Sequence, residues 1–276
     1  MTVEAKATEA APSLLAFFGT ELQRVRNKAG WSQSKTAKAA HTTQAMISYI
    51  ESGERVPSAD LARDLDLAFD TDGHFGRLLP LVIRYAYPGW FLPYVELERA
   101  ATSIRSFEGQ VIPGLLQTEG YARAVLSVVR PDNLDDLVAA RMTRQDILTR
   151  EDRPRTWFVI DEYVLERHIG GPAVMRAQLE KLLEAGQHPR TVIQLIERKC
   201  AAHPGLNGPF SMMSFAEGAD VLWVDGFSQG RAALDAQEVV EGARTYDLLR
   251  AVAKSPEASA DLIREHLEGL SHEQSK

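Results

Sequence analysis

The sequence has a single cysteine, Cys200, and no long apolar run. One cysteine excludes an internal disulfide and a thiolate-rich zinc site, and it fits a reducing compartment. No apolar stretch reaches the roughly 18 residues that a membrane helix needs, and the chain start lacks the basic segment and apolar core of a signal peptide. We therefore expect a soluble, cytoplasmic protein that makes no membrane contact.

Compositional extremes are also lacking. Hydrophobic residues make up 45% of the chain and charged residues 25%, so the chain as a whole is neither disordered nor fibrous. A length of 276 residues suggests two domains, one of them small. The net charge of −7 alone argues against a nucleic-acid partner, yet residues 22–50 carry five basic side chains and no acidic one. Since the local field decides where a phosphate backbone docks, this segment stays a candidate for DNA binding.

The first part of the chain follows a pattern of short helices. Apolar residues at three- and four-residue steps predict a helix over residues 14–28. Hydroxyl side chains that can cap helix N-termini precede the next three helices, at Ser32, at Thr42 or Thr43, and at Ser58. A fifth short helix is expected around residues 75–85. We predict a disordered N-terminus over 1–13 and a mainly α head of five helices over 14–86.

The remainder, residues 87–276, mixes helical and strand patterns. Four short β-rich runs lie among helical segments, and this alternation favours an α+β domain. The runs are 156–160, 191–196, 210–215 and 221–224. The helices are expected over 88–101, 119–129, 134–150 and 172–185, with two more between 239 and 270 that part at Ser255-Pro256.

The second and third predicted helices can form a pair with one packed and one free face. Ala37, Ala40, Ile47 and Ile50 can close a small core between them. The outer side of the third predicted helix then presents Thr43, Gln44, Ala45, Ser48 and Tyr49. Among these, Gln44 and Ser48 lie four residues apart and share a face, and so do Ala45 and Tyr49. A recognition helix needs this geometry, because its N-terminal residues must reach base edges in the major groove. Glutamine matches the donor and acceptor of adenine, and alanine can contact a thymine methyl.

The segment Gly30-Trp31-Ser32-Gln33 through Ile50-Glu51-Ser52-Gly53 resembles the helix-turn-helix of the Cro and phage-repressor type, the xenobiotic-response-element (XRE) family of regulators. The resemblance implies a recognition helix over residues 43–52 and a phosphate contact by Gln33, to which Lys35 and Lys38 can add. It also implies that Arg26 pairs with Glu51 instead of touching DNA. The turn residue is usually glycine in that family, but here it is His41, which tolerates the left-handed conformation better than branched residues.

Residues from about Trp90 onward resemble the uncharacterised effector-like domain that follows such helix-turn-helix heads in many actinobacterial regulators. The segments that carry this resemblance are Ile112-Pro113-Gly114-Leu115-Leu116-Gln117-Thr118, Arg144-Gln145, Asp161-Glu162, Gly170-Gly171 and Gly208-Pro209-Phe210. The resemblance implies a regulator of a kind often encoded beside a small partner protein, in toxin–antitoxin-like pairs. An alternative function is therefore an antitoxin-like protein that neutralises a small partner and binds DNA only to regulate itself. A lone head with one recognition helix should discriminate poorly, so we expect residues 87–276 to be an effector and dimerisation domain that holds a homodimer.

A ligand pocket is one interpretation of a polar group in the second domain. Arg141, Arg144 and Gln145 lie three and four residues apart on a predicted helix, and Gln117 lies in the glycine-containing loop. Together they can form a cationic ligand or partner pocket. A solvated face or an interdomain ion-pair face is the alternative.

Catalytic and metal sites have weaker support in the sequence. Asp161 and Glu162 follow a strand and precede His168, but such a pair more often caps the following helix. Cys200 and His203 have C-x-x-H spacing without further ligands around them, and His188 has no motif. We expect no enzyme activity, no cofactor and no metal, and we expect a transcription regulator that binds a double-stranded DNA operator.

Overall fold

The computed structural model describes residues 13–227, 229–233 and 235–273, without the side chains of 271–273. The chain divides into two compact units: one runs to Tyr87 and includes Asp135–Ala140, and the other comprises the rest of the chain. The predicted ranges of 14–86 and 87–276 did not assign any part of 135–140 to the head. The predicted disordered segment 1–13 lies outside the described residues except for Ser13, which caps the first helix.

The head is helical, and its elements agree closely with the helical pattern of the sequence. They are α1 (Leu14–Lys28), α2 (Gln33–Ala39), α3 (Gln44–Glu51), α4 (Ala59–Phe69) and α5 (His74–Ala86). Each of the first four is capped by a hydroxyl side chain that accepts a hydrogen bond from a backbone N–H of the first turn. The caps are Ser13, Ser32, Thr43 and Ser58, respectively. Thr43, not Thr42, is thus the cap of α3.

Helix α3 is held in place by α1 and α2, against both of which it packs. Ile47 and Ile50 on its inner side are completely buried, and Ala37 of α2 and Ala40, which directly follows α2, are nearly so. Gly19 of α1 lies against the end of α3: a Cβ there would meet the carbonyl oxygens of Ile50 and Glu51, the latter at 2.7 Å. This close approach explains a glycine in mid-helix, a position that otherwise costs stability.

The turn between α2 and α3 has the left-handed backbone conformation that the resemblance implies. His41 has a φ of +50°, in the left-handed region. Its side chain is exposed, so the imidazole is not packed between the two helices. The strain of a non-glycine residue there is local.

The second unit consists of one sheet with helices on both faces. The strands are β1 (Ser103–Glu108), β2 (Arg155–Asp161), β3 (Thr191–Ile196), β4 (Phe210–Ser214), β5 (Val221–Val224) and β6 (Arg231–Ala232). The helices that follow the head are α6 (Leu92–Ala100), α7 (Glu119–Ser127), α8 (Leu134–Arg144), α9 (Tyr163–Glu166), α10 (Pro172–Gly186), α11 (Ala236–Val252) and α12 (Pro256–Glu273). Residues Asp135–Ala140 of α8 belong to the first unit, and the other helices belong to the second. Short 3-10 turns span Gly114–Leu116, Gln145–Leu148 and Pro204–Asn207.

The sheet has the strand order β3-β2-β1-β4-β5-β6. The neighbours β3, β2 and β1 are parallel, whereas β4, β5 and β6 join by antiparallel pairing. A helical head followed by an α+β domain agrees with the fold class expected from the sequence. The expectation of four strands was wrong, because β1 and β6 were missed and β1 is a central strand.

Both faces of the sheet are covered. On one face, Ile104, Phe158 and Trp223 belong to a buried cluster that includes residues of α6, α7, α10 and α12. On the other, Phe107 and Phe210 join Tyr246 and Leu249 of α11. Successive residues of β1 therefore face different layers. Across the part of the chain that the structure describes, none of the helices is both long and apolar enough to cross a bilayer.

Candidate functional site

The outer side of α3 is free of packing within the head. Thr43, Gln44, Ala45 and Tyr49 are exposed and Ser48 is half-buried. All five residues predicted to contact bases therefore lie together on one accessible surface. The hydroxyl oxygen of Thr43 also accepts a hydrogen bond from the backbone N–H of Met46, so this residue caps the helix as well.

A chain of hydrogen bonds runs from α1 to the tip of α3. Arg26 donates two hydrogen bonds to Glu51, at 2.5 and 2.9 Å, and a third to the carbonyl oxygen of Trp31 at 2.9 Å. The Gln33 Nε2 donates to Glu51 at 2.9 Å, and the Gln44 Nε2 donates to Gln33 Oε1 at 2.7 Å. The first helix of the head thus positions the amide of Gln44.

These contacts change the interpretation of Gln33. The resemblance implied that Gln33 contacts a phosphate, but in the structure its amide oxygen and one amide hydrogen bond to Gln44 and Glu51. The second amide hydrogen remains for a phosphate oxygen. Gln33 is therefore placed to position Gln44 in addition to any contact with the backbone.

The charges of the head are partly paired. The Arg26 side chain is 12% exposed and that of Glu51 only 4%, and hydrogen bonding to Glu51 raises the pKa of Arg26. Arg24 pairs with Glu21 on the surface at 2.9 Å. Two of the five basic residues counted in the sequence are thereby compensated, and the local positive field is smaller than the sequence alone indicates. Lys35 and Lys38 are exposed on α2.

Two cation–π contacts border the exposed surface and were not predicted. The Lys35 Nζ lies 4.3 Å from the ring centre of Trp31, and the Arg55 guanidinium lies 5.2 Å from that of Tyr49. Arg55 lies between α3 and α4. No sequence pattern indicates that its side chain returns to the recognition surface.

The predicted pocket residues of the second unit lie close together but have different roles. Gln117 is completely buried; its amide accepts from Arg141 Nη1 at 3.0 Å and donates to the Ile112 carbonyl at 2.7 Å. Arg144 forms a buried, two-bonded ion pair with Glu98, both bonds at 2.8 Å. Since Glu98 neutralises Arg144, the pocket is less cationic than predicted.

Gln145 was predicted as a residue of the pocket, and this prediction was wrong. Its amide nitrogen donates to the carbonyl oxygens of Gly114 and Gln117, and its amide oxygen accepts from Lys181. It fixes the loop that bears Gln117 and does not line the cavity beside it. Gln117, Arg141 and Arg144 do line that cavity.

Three further polar residues of this cavity were not predicted, and two of them were missed because β1 was missed. Ser106 and Glu108 are on β1, and Asp225 directly follows β5. Burial, and then the negative charge of Asp225, raises the pKa of Glu108 to about 8. Burial also raises the pKa of Asp225 and lowers that of Arg141 to about 10.

The candidate catalytic residues are engaged in structural contacts. Asp161 caps the turn after β2 by accepting from the Tyr163 N–H at 2.9 Å, and its other oxygen lies 3.0 Å from Nε2 of His203. The second ring nitrogen of His203 accepts from the Gly205 N–H. Glu162 accepts from the Arg198 N–H at 2.8 Å and pairs with His266 at 3.2 Å.

The C-x-x-H residues and the remaining histidines form no joint site among the residues described. The Cys200 thiol is 3.7 Å from the Ala202 carbonyl oxygen, and the exposed His188 accepts from the Arg190 N–H at 3.1 Å. His168 has a partner of its own. Within the described part of the chain, no group of three or more His, Cys, Asp and Glu residues could hold a metal ion.

Comparison with known proteins gives two family matches. A family model of a helix-turn-helix domain matches residues 18–75, and the model of a domain of unknown function (DUF5753) matches residues 91–265. No curated protein and no solved structure gives a significant match. A helix-turn-helix domain before this second domain supports a DNA-binding regulator. The DUF5753 match extends over more than half of the residues, and the chain therefore belongs to the DUF5753 family.

Proposed function

We propose that this protein is a sequence-specific transcription regulator of the XRE type whose helix α3 reads the major groove. The observation that supports this most directly is the position of Gln44. It is exposed at the N-terminal end of α3, and Gln33 holds its amide in a fixed orientation. A pre-positioned amide loses less rotamer entropy when it binds a base than a free side chain does.

The hydrogen bond to Gln33 leaves Gln44 able to recognise adenine. Gln44 donates to Gln33 through one of the two hydrogens on Nε2. The second hydrogen and the Oε1 acceptor remain, and they match N7 and N6 of adenine, respectively. Thr43, Ala45, Ser48 and Tyr49 flank this contact, and Lys35 and Lys38 supply charge for the phosphates.

The second unit supplies dimerisation and ligand or partner sensing in this proposal. One short recognition helix and few phosphate contacts discriminate poorly, whereas two heads on half-sites about 34 Å apart gain affinity through effective concentration. Sedimentation should therefore show a dimer of the full chain. A monomer that binds its operator at full affinity would contradict this part of the proposal.

We further propose that the protein has no catalytic activity, since Asp161, Glu162 and His203 are each committed to capping or ion-pair contacts. The two candidate functions differ in their main target, which is an operator DNA for the regulator and a small partner protein for the antitoxin-like protein. A small partner gene next to this one, whose product binds the full chain, favours the antitoxin-like function.

The decisive experiment starts from a genome-wide map of bound DNA, which supplies the operator. Gln44→Ala in the full chain should weaken operator binding by about 1 to 3 kcal/mol, roughly 5- to 150-fold, and hardly change binding to random DNA. Gln33→Ala should weaken both, and the operator more, because Gln44 then loses its partner. Gln23→Ala, an exposed glutamine on α1, is the matched control. Equal losses for Gln44→Ala on both DNAs would contradict the assignment.

A further inference from the structure

The cavity of about 240 Å³ in the second unit is built on the sheet. Its floor includes Ile104, Ser106 and Glu108, which are alternate residues of β1 and share one face of the strand. Trp90, at its border, is 37% exposed. The volume is below the roughly 300 to 1,000 Å³ of pockets for drug-sized ligands, so the cavity suits a small metabolite.

The cavity lies where the sheet topology favours a binding site. Strand β2 pairs with β1 on one side, and β4 pairs with β1 on the other. The strands β2 and β3 therefore extend the sheet from one edge of β1, and β4 to β6 extend it from the other edge. Glu108 is the last residue of β1, and Asp225 directly follows β5, which runs parallel to β1. Ligands of open α/β sheets bind at the carboxyl ends of strands near such a change of order.

One polar group in the floor lacks a partner. Ser106 is 6% exposed, and its hydroxyl oxygen forms no hydrogen bond with any residue that the structure describes. A buried hydroxyl without a partner costs free energy that a bound molecule can recover. Its place on the cavity floor therefore indicates a ligand with a hydrogen-bonding group at that point.

Positive and negative charges reach the cavity from different elements. The Glu98–Arg144 pair is neutral as a unit and supports the wall. Arg141, near the C-terminal end of α8, brings a further positive charge and is tied by one donor to the amide of Gln117. Glu108 and Asp225 bring acidic groups at the sheet edge. A ligand with only a negative charge would leave these carboxyl groups without a cationic partner, and one with only a positive charge would face Arg141.

We propose that this cavity binds a small zwitterion, a molecule with one ammonium group and one carboxylate, of the free amino acid class. The carboxylate pairs with Arg141, and the ammonium group bonds to Asp225, Glu108 and the hydroxyl of Ser106. The apolar part lies against Trp90 and Phe91. The inference rests on the proposed sensing function of the second unit, but binding is measurable without DNA.

Isothermal titration of the full chain tests this inference. The probes are the twenty standard L-amino acids, 4-aminobutyrate and 5-aminopentanoate. Each amino acid that binds is then compared with the amine and with the carboxylic acid that share its carbon skeleton. At least one zwitterion should bind, and at least tenfold more tightly than its amine or acid. Absence of binding by every probe, or equal binding of the amine or the acid, overturns the proposal.

Variants locate the binding site. Ser106→Ala removes only a hydroxyl that has no partner, so it should leave the fold intact and weaken zwitterion binding several-fold. Arg141→Lys and Asp225→Asn should each weaken it about tenfold or more, while Glu96→Gln, an exposed residue of α6, should have no effect. An unchanged affinity in Ser106→Ala and Asp225→Asn overturns the assignment of the cavity. Operator binding by the ligand-free chain reports on the DNA-binding proposal separately, so the two can fail independently.

Discussion

The ion pair of Arg26 and Glu51 should determine how firmly the recognition helix is held. Arg26 on α1 donates two hydrogen bonds to Glu51, the last residue of α3. Both side chains are largely shielded from water, at 12% and 4% exposure. The alanine variants of these residues therefore perturb the attachment of α3, and Glu51→Ala also removes the acceptor of the Gln33 amide, which in turn holds Gln44.

The two single variants should differ in cost. Breaking a fully buried pair costs about 3 to 5 kcal/mol and an exposed pair is worth about 0 to 1, so an intermediate loss is expected here. Arg26→Ala leaves the carboxylate with only the Gln33 amide as donor and should cost about 2 to 3 kcal/mol. Glu51→Ala should cost less, about 1 to 2 kcal/mol, because Arg26 keeps its bonds to Trp31 and Asn27. The double variant should lose less than the sum.

Hydrogen exchange of the α3 amides in the full chain measures this locally. A loss of 2 to 3 kcal/mol corresponds to roughly 30- to 150-fold faster exchange through local opening. Arg24→Ala removes a surface pair with Glu21, whose arginine side chain is 57% exposed, and should change exchange little. Strict additivity of the double variant, or an equal effect of Arg24→Ala, would refute the reasoning.

Two further predictions concern packing and pH. Gly19→Ala should destabilise the head by about 1 to 3 kcal/mol, because the new methyl group meets carbonyl oxygens of α3, and hydrogen exchange of the α3 amides measures this. Gly269→Ala, in open space on α12, should be neutral or stabilising when exchange of the α12 amides is measured. Glu108, which faces Asp225, Arg141 and Arg144, has a folded-state pKa near 8 against about 4.5 for the ordinary side chain. The folded domain thus binds an extra proton between these values, so its stability should fall as pH rises from 4.5 to 8. Denaturant titrations should show a flatter profile for Glu108→Gln, and an identical profile would contradict the assignment.

The head could be predicted well from sequence because its signals are local. Hydroxyl caps and apolar spacing each involve residues within a few positions of one another, and these signals give both ends of α1 and the N-terminal ends of α2 to α4 within a residue. The contacts between Gln33, Gln44 and Glu51 depend on side-chain conformations across two helices, α2 and α3. No spacing rule contains that information, and so Gln33 was predicted as a phosphate contact alone.

The second domain was predicted less completely, for a physical reason that also bears on its function. Strand β1 reads Ser-Ile-Arg-Ser-Phe-Glu, with polar residues at positions where a central strand normally has apolar ones. Its partners β2 and β4 lie distant in sequence, so no hairpin signal identifies it.

The polar character of β1 is hard to explain by stability alone. Ser106 lies opposite Ser211 of β4 and beside Phe158 of β2, in the middle of the sheet, where an apolar side chain would fill the cavity and remove a buried hydroxyl without a partner. Glu108 likewise holds a carboxyl group in a place that disfavours its charge. Such departures from the local sequence pattern concentrate at functional sites, where binding compensates the cost. The polar residues Ser106 and Glu108 therefore account both for the failure to predict β1 from sequence and for the ligand that we propose for the cavity.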